Sequence, residues 1–182
     1  MKLSHTKQLV FTAVCIALCV VLPIAFHSIP NSAMVFLPMH IPILLCGLVC
    51  SWPYGLVCGL FGPLLSSILT QMPAMAVLPS MMVECAVYGC VASLMMQLVR
   101  TGSLYLDVYC ALLPAMVMGR VVSGLAKAWI LAPGTPPFAW VTTSLLTGIP
   151  GIVIQLVLIP ALLFALERTK LLPHRYTKNE VL

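Results

Sequence analysis

Apolar residues dominate this chain in long unbroken runs, set apart by short stretches that carry proline, glycine and polar residues. The first run, about 8–26, follows Lys2 and Lys7. It is longer than the apolar core of a signal peptide and no A-x-A-like site follows it, so it reads as a retained helix. Further runs predict helices at about 39–51, 53–69, 81–99, 108–131 and 139–166. Between them lie an uncharged loop HSIPNSAMVFLPMH (27–40), a tight corner at Trp52-Pro53, TQMPAMAVLPS (70–80), RTGSLYLD (100–107) and APGTPPF (132–138).

The segment VFLPMHIPILLCGLVCSWPYG (35–55) departs from this regularity. Only ten residues separate Pro42 from Pro53, and as a helix they rise about 15 Å against a hydrocarbon core of about 30 Å. The second helix is therefore short. Pro53 suits the first turn of the third, where a missing N–H costs least.

Composition turns this pattern into a class. Of 182 residues, 62% are hydrophobic and 7% charged, against about 25% charged in soluble domains. The expected fold is an all-α integral membrane protein, a six-transmembrane-helix bundle forming one domain over 1–182. A β-barrel would need alternating strands, and LVFTAVCIALCVVLPIAF does not alternate. Fifteen prolines and eleven glycines are tolerable in a bundle, where neighbouring helices re-satisfy freed backbone groups.

Charge orients the bundle. Seven of the nine Lys and Arg residues are Lys2, Lys7, Arg100, Arg168, Lys170, Arg175 and Lys178. Placing those regions inside satisfies the positive-inside rule, and six spans put both termini in the cytoplasm. Loops 27–38, 70–80 and 132–138 then face outward without a formal charge.

Three charges remain within apolar helices: Glu84, Arg120 and Lys127. Ionisable groups at membrane depth cost a few kcal/mol or more, so they normally turn toward partners, cavities or substrate. Arg120 and Lys127 are seven residues apart and share a helix face. All three converge on the outer half. One reading is a structural salt bridge with Lys127 snorkelling to the surface. The other is a ligand site whose two cations and single carboxylate leave a positive charge for an anionic molecule.

Around them, His40 beside Pro42 either contacts a ligand or caps the second helix. Asn31, Tyr88 and Trp140 lie near the same mouth, where an aromatic or an amide orients a small molecule or anchors at the interface. Ala13 and Ala17 form a small-xxx-small pair that permits close helix approach. The eight cysteines all fall in or at the ends of apolar runs and read as small apolar residues. No metal site, no cofactor and no nucleic-acid partner are expected. H-E-x-x-H, G-x-S-x-G and Walker A sequences are absent, so neither catalysis nor ATP use is supported.

With six helices, Ala13-x-x-x-Ala17, LPMHIPILLCGLVCSWPYG, GLFGPLLSSILTQMP, VECAVYG and IPGIVIQLVLIP, the chain resembles the substrate-binding S-components of energy-coupling factor (ECF) vitamin transporters, the pantothenate-type branch above all. The resemblance implies a bacterial cell-membrane protein that is not an enzyme. It implies a vitamin bound near the outer face under loop 27–40, and delivery by toppling against a transmembrane coupling subunit driven by two ATPases. It also implies that Ala13 and Ala17 face the coupling subunit, and that His40 and Asn31 belong to a gate. Riboflavin, pyridoxine or a queuosine precursor are alternative ligands; a structural membrane subunit or a membrane enzyme are the alternatives by class.

Overall fold

The computed structural model describes residues 3–25, 38–130, 134–173 and 175–176. Over these the chain is all-helical: α1 (His5–Ala25), α2 (His40–Val49), α3 (Trp52–Thr70), α4 (Leu78–Leu98), α5 (Leu104–Ile130) and α6 (Pro137–Arg168). Five are long and apolar enough to cross a bilayer, and α2, at ten residues, is not. The loop predicted over 27–40 lies outside the described residues as far as Leu37, and Asn31 with it.

The short helix sits at the centre. His40 and every residue from Pro42 to Val49 are buried, packed between α1, α3 and α4. A helix rising about 15 Å exposes little to lipid when longer ones surround it. Its corner is made by Cys50 and Ser51, with Pro53 in the first turn of α3.

The long helices show the reverse pattern on their outer faces. Along α1, Gln8, Thr12, Cys15, Cys19 and Pro23 form the buried stripe, while Leu9, Val10, Val14, Leu18 and Val21 point out. Ala13 and Ala17 lie on that exposed side. An apolar outer surface is what a lipid-facing bundle requires, and the chain is a helical membrane protein.

Since lipid tails are as apolar as leucine, helices in a bilayer associate through close packing rather than through expulsion of water. Small residues supply it. At the α3–α4 crossing Gly55 lies on Gly89, so that a Cβ on either would collide with the other's backbone carbonyl. Gly47 of α2 meets the same turn, its missing Cβ 2.7 Å from the Gly89 carbonyl.

Polar groups close both ends of the bundle. At one end Gln8 Nε2 donates to the Leu3 carbonyl (2.8 Å) and its Oε1 accepts the Ser51 N–H (2.8 Å). Ser93 Oγ donates to the Cys50 carbonyl at 2.7 Å. Arg175 reaches the same end and donates to the carbonyls of Met96 and Val99, both at 2.6 Å, the open C-terminus of α4. Its guanidinium also pairs with buried Asp107, which accepts a hydrogen bond from Tyr176. The start of α1, the α2–α3 corner, the α4–α5 turn and the segment after α6 therefore share one end. At the other, Ser66 and Ser67 donate to the carbonyls of Met72 (2.7 Å) and Pro73 (2.8 Å) beyond the end of α3.

Candidate functional site

The end of the bundle near the start of α4 holds a buried charged cluster contributed by three helices. Glu84, two turns into α4, is 3% exposed. Its Oε1 lies 3.3 Å from Arg120 Nη1 of α5 and 3.7 Å from His40 Nε2 at the start of α2, and it accepts a 2.9 Å hydrogen bond from Tyr88 Oη. One carboxylate oxygen thus organises α2, α4 and α5.

Helical spacing explains why these residues meet. Glu84 and Tyr88 are four apart and stack on one face of α4. Tyr88 can turn edge-on to His40, with ring centroids 5.2 Å apart, because Gly119 leaves room behind it. A Cβ at Gly119 would overlap the Tyr88 ring. Arg120 follows directly on α5 and so enters beside the ring.

The cluster is incompletely satisfied. Both ring nitrogens of His40, Arg120 Nε and Ser123 Oγ are buried with no hydrogen-bond partner. Leaving such a group unpaired costs about 1–3 kcal/mol, and all four atoms belong to residues of α2 and α5. The residue classes could receive a polar, anionic molecule: guanidinium and ammonium as donors, hydroxyl and imidazole as donor or acceptor.

Lys127 stands farther along the same face of α5. It is half-buried, and its Nζ donates to Ser144 Oγ of α6 at 3.5 Å. Gly124 makes room for that helix, since a Cβ there would press on Val141. Trp140 lies one turn before Ser144, and its Nε1 donates to Thr135 Oγ1 at 2.9 Å across the exposed start of α6.

Of the residues singled out from sequence, the structure brings His40, Glu84, Tyr88 and Arg120 into one cluster, sets Lys127 against Ser144 of α6 and leaves Trp140 at the exposed start of α6. Asn31 is outside the described residues. Ser123 was missed. Its signal was positional: three residues after Arg120 and four before Lys127, a hydroxyl on a face otherwise charged.

A cavity of about 570 Å³ does not coincide with this cluster. It opens at the opposite end, lined by Gln8, Ser51, Ser93, Arg100, Arg175 and Tyr176, roughly 18 Å along α4 from Glu84 to Met96. Several of its polar groups are bonded, through Gln8, Ser93 and Arg175, while Arg175 Nε has no hydrogen-bond partner and is paired by charge with Asp107. Unmet hydrogen-bonding capacity is concentrated instead at the charged cluster. A second cavity of about 410 Å³ lies between the end of α5 and the start of α6, at Ala128, Trp129 and Thr135.

Six of the eight cysteines are buried and all eight are unbridged. Thr12 Oγ1 lies 3.5 Å from Cys46 Sγ at the α1–α2 contact. Among the described residues no group of three His, Cys, Asp or Glu side chains is placed to hold a metal ion.

No curated protein and no solved structure matches the chain. The family described as "ECF transporter, substrate-specific component" matches residues 7–163, from the start of α1 through most of α6. Members of that family are transporter subunits rather than enzymes, which implies a small-molecule substrate, a coupling subunit and ATPases as partners. A membrane bundle with six helices among the described residues and a buried, unsaturated charged cluster is in keeping with that match, and the chain belongs to the substrate-specific components of ECF transporters.

Proposed function

We propose that this chain captures a small carboxylate-bearing vitamin, pantothenate in first place, at the cluster formed by His40, Glu84, Tyr88, Arg120 and Lys127. One observation carries the reading. Two cations, Arg120 and Lys127, share a face of α5, the first paired with one buried carboxylate, Glu84 of α4, and the ion pair leaves hydrogen-bonding capacity unfilled around it. A buried site with a surplus positive charge favours an anion, and its unpaired groups favour one that also bears hydroxyl or amide functions.

The bundle end carrying Arg100 and Arg175 faces the cytoplasm in this proposal, in keeping with the excess of Lys and Arg there. The Glu84 end then faces outward. Ala13 and Ala17, exposed on α1, offer a flat strip for the coupling subunit, against which the loaded bundle topples to release its cargo. Trp140 borders the mouth.

A second reading has its own support: the 3.3 Å Glu84–Arg120 pair pins α4 to α5 and would do so in a purely structural subunit. Titration calorimetry on the purified protein in detergent separates the two. Pantothenate, riboflavin, pyridoxine and a queuosine precursor are screened in turn. Binding of pantothenate with a Kd tighter than about 1 μM, near −8 kcal/mol, is the expected result. Tight binding of an uncharged vitamin instead removes the anion reading, and binding of none supports the structural one.

A further inference from the structure

The two cations of the site are not equivalent. Arg120 lies 3.3 Å from Glu84, so its charge is largely offset by a carboxylate that is itself buried. Lys127 donates to a neutral hydroxyl, Ser144, and among the described residues no carboxylate comes within ion-pair distance of it. Lys127 is therefore the less directly compensated of the two cations. Between the two cations lies Ser123, wholly buried and unpaired. Residues 120, 123 and 127 fall on one stripe of α5, spaced i, i+3 and i+7 and covering about 10 Å of helix axis.

We infer that the ligand lies along this stripe of α5 with its carboxylate against Lys127 and a central hydroxyl or amide against Ser123, the Arg120–Glu84 pair serving as the floor of the site and not as its anion receptor. This rests on the anionic-vitamin reading above and adds to it an orientation and a residue, Ser123. The chemistry is consistent along the stripe. An ammonium half-open to its surroundings accepts an anion without first breaking a buried pair. Arg120, by contrast, would have to leave Glu84 to take a second carboxylate, and would leave that group buried and unmatched. Arg120 Nε and the His40 ring stay available as partners for the uncharged end of the ligand.

The test compares pantothenate with panthenol, the same skeleton with a primary alcohol in place of the carboxylate, on the full-length protein in detergent. Wild type is expected to prefer pantothenate by on the order of 10- to 100-fold, the range for one desolvated charge pair. Lys127→Met should bring the two affinities together, and Lys127→Arg should keep them apart. Ser123→Ala should weaken both ligands by about tenfold, the equivalent of one lost hydrogen bond, with the preference unchanged. Its ligand-free melting temperature should hold or rise, because an orphaned buried hydroxyl is removed; a purely structural Ser123 would instead lower the melting temperature and leave affinity alone.

Failure of the two parts is separable. Wild type that binds neither probe overturns pantothenate as the ligand, and wild type that binds both equally overturns the anionic-vitamin reading itself. Wild type that prefers pantothenate while Lys127→Met retains that preference overturns the orientation. Should Lys127→Met not fold, the Lys127→Arg and Ser123→Ala arms still decide: loss of the preference in the first, or unchanged affinity in the second, refutes the proposal.

Discussion

The ring of Tyr88 occupies the space that a side chain at Gly119 would take, and from that seat its hydroxyl donates to Glu84 at 2.9 Å. The glycine on α5 thereby controls a hydrogen bond made entirely within α4. Gly119→Ala should displace the ring and destabilise the bundle by about 1–3 kcal/mol, the usual cost of overpacking. Combined with Tyr88→Ala, the loss should fall well short of the sum of the two single losses, because the clash disappears with the ring. Unfolding in mixed detergent micelles measures it, and additive losses would show that Gly119 and Tyr88 are not coupled.

The Gly55–Gly89 crossing is less forgiving, since the atoms a new Cβ would meet are backbone. Backbone cannot rotate aside as a ring can. Gly89→Ala should cost about 3 kcal/mol or more and sharply reduce the yield of monodisperse protein in size-exclusion chromatography. Near-normal yield and stability would mean that α3 and α4 are farther apart than described.

Removing one member of the Glu84–Arg120 pair leaves the other charge buried. Glu84→Gln is therefore expected to cost about 3–5 kcal/mol, whereas Glu84→Gln with Arg120→Met should recover much of that loss. A thermal-melt double-mutant cycle reads the coupling directly. The double variant also separates pinning from binding: a folded protein that still binds ligand would confine Glu84 and Arg120 to the scaffold.

At the opposite end, Arg175 joins the last carbonyls of α4 to Asp107 of α5 through one guanidinium. Arg175→Ala should free the segment after α6 and destabilise that end by about 3–5 kcal/mol, as for other broken buried pairs. Arg175→Lys should restore little, because an ammonium lacks the planar fork that serves two carbonyls and a carboxylate together. Limited proteolysis after α6, run beside a thermal melt, checks both variants; unchanged cleavage in Arg175→Ala would show that the contact does not hold the tail.

Much of this architecture is legible from individual residues. Pro53 after Ser51 marks the corner into α3 because a proline belongs in a first helical turn, and the corner is there. Glu84 and Arg120 are conspicuous in apolar runs because a lone charge at membrane depth needs a partner, and the structure pairs them. Ser123 was legible only as a position between Arg120 and Lys127, since a single hydroxyl in a membrane helix usually satisfies itself on its own backbone and its lack of a partner is a property of the surrounding packing. Arg175 was legible only as a positive charge for orientation. That it reaches back to α4 and Asp107 depends on contacts between residues more than sixty positions apart.

Apolar run length, proline placement and the scarcity of charge by themselves determined a helical membrane bundle and the six helices found among the described residues, because hydropathy and backbone restriction act locally along the chain. They did not determine which way each helix turns about its axis. When nearly every face is apolar, lipid and protein neighbours are equally acceptable, and the choice falls to the fit of small residues such as Gly55, Gly89 and Gly119 against particular partners. Tertiary packing alone decided that the ten-residue α2 lies in the centre with His40 beside Glu84, and that one buried carboxylate gathers three helices. Close contact and desolvation, the forces responsible, exist only once the helices have met.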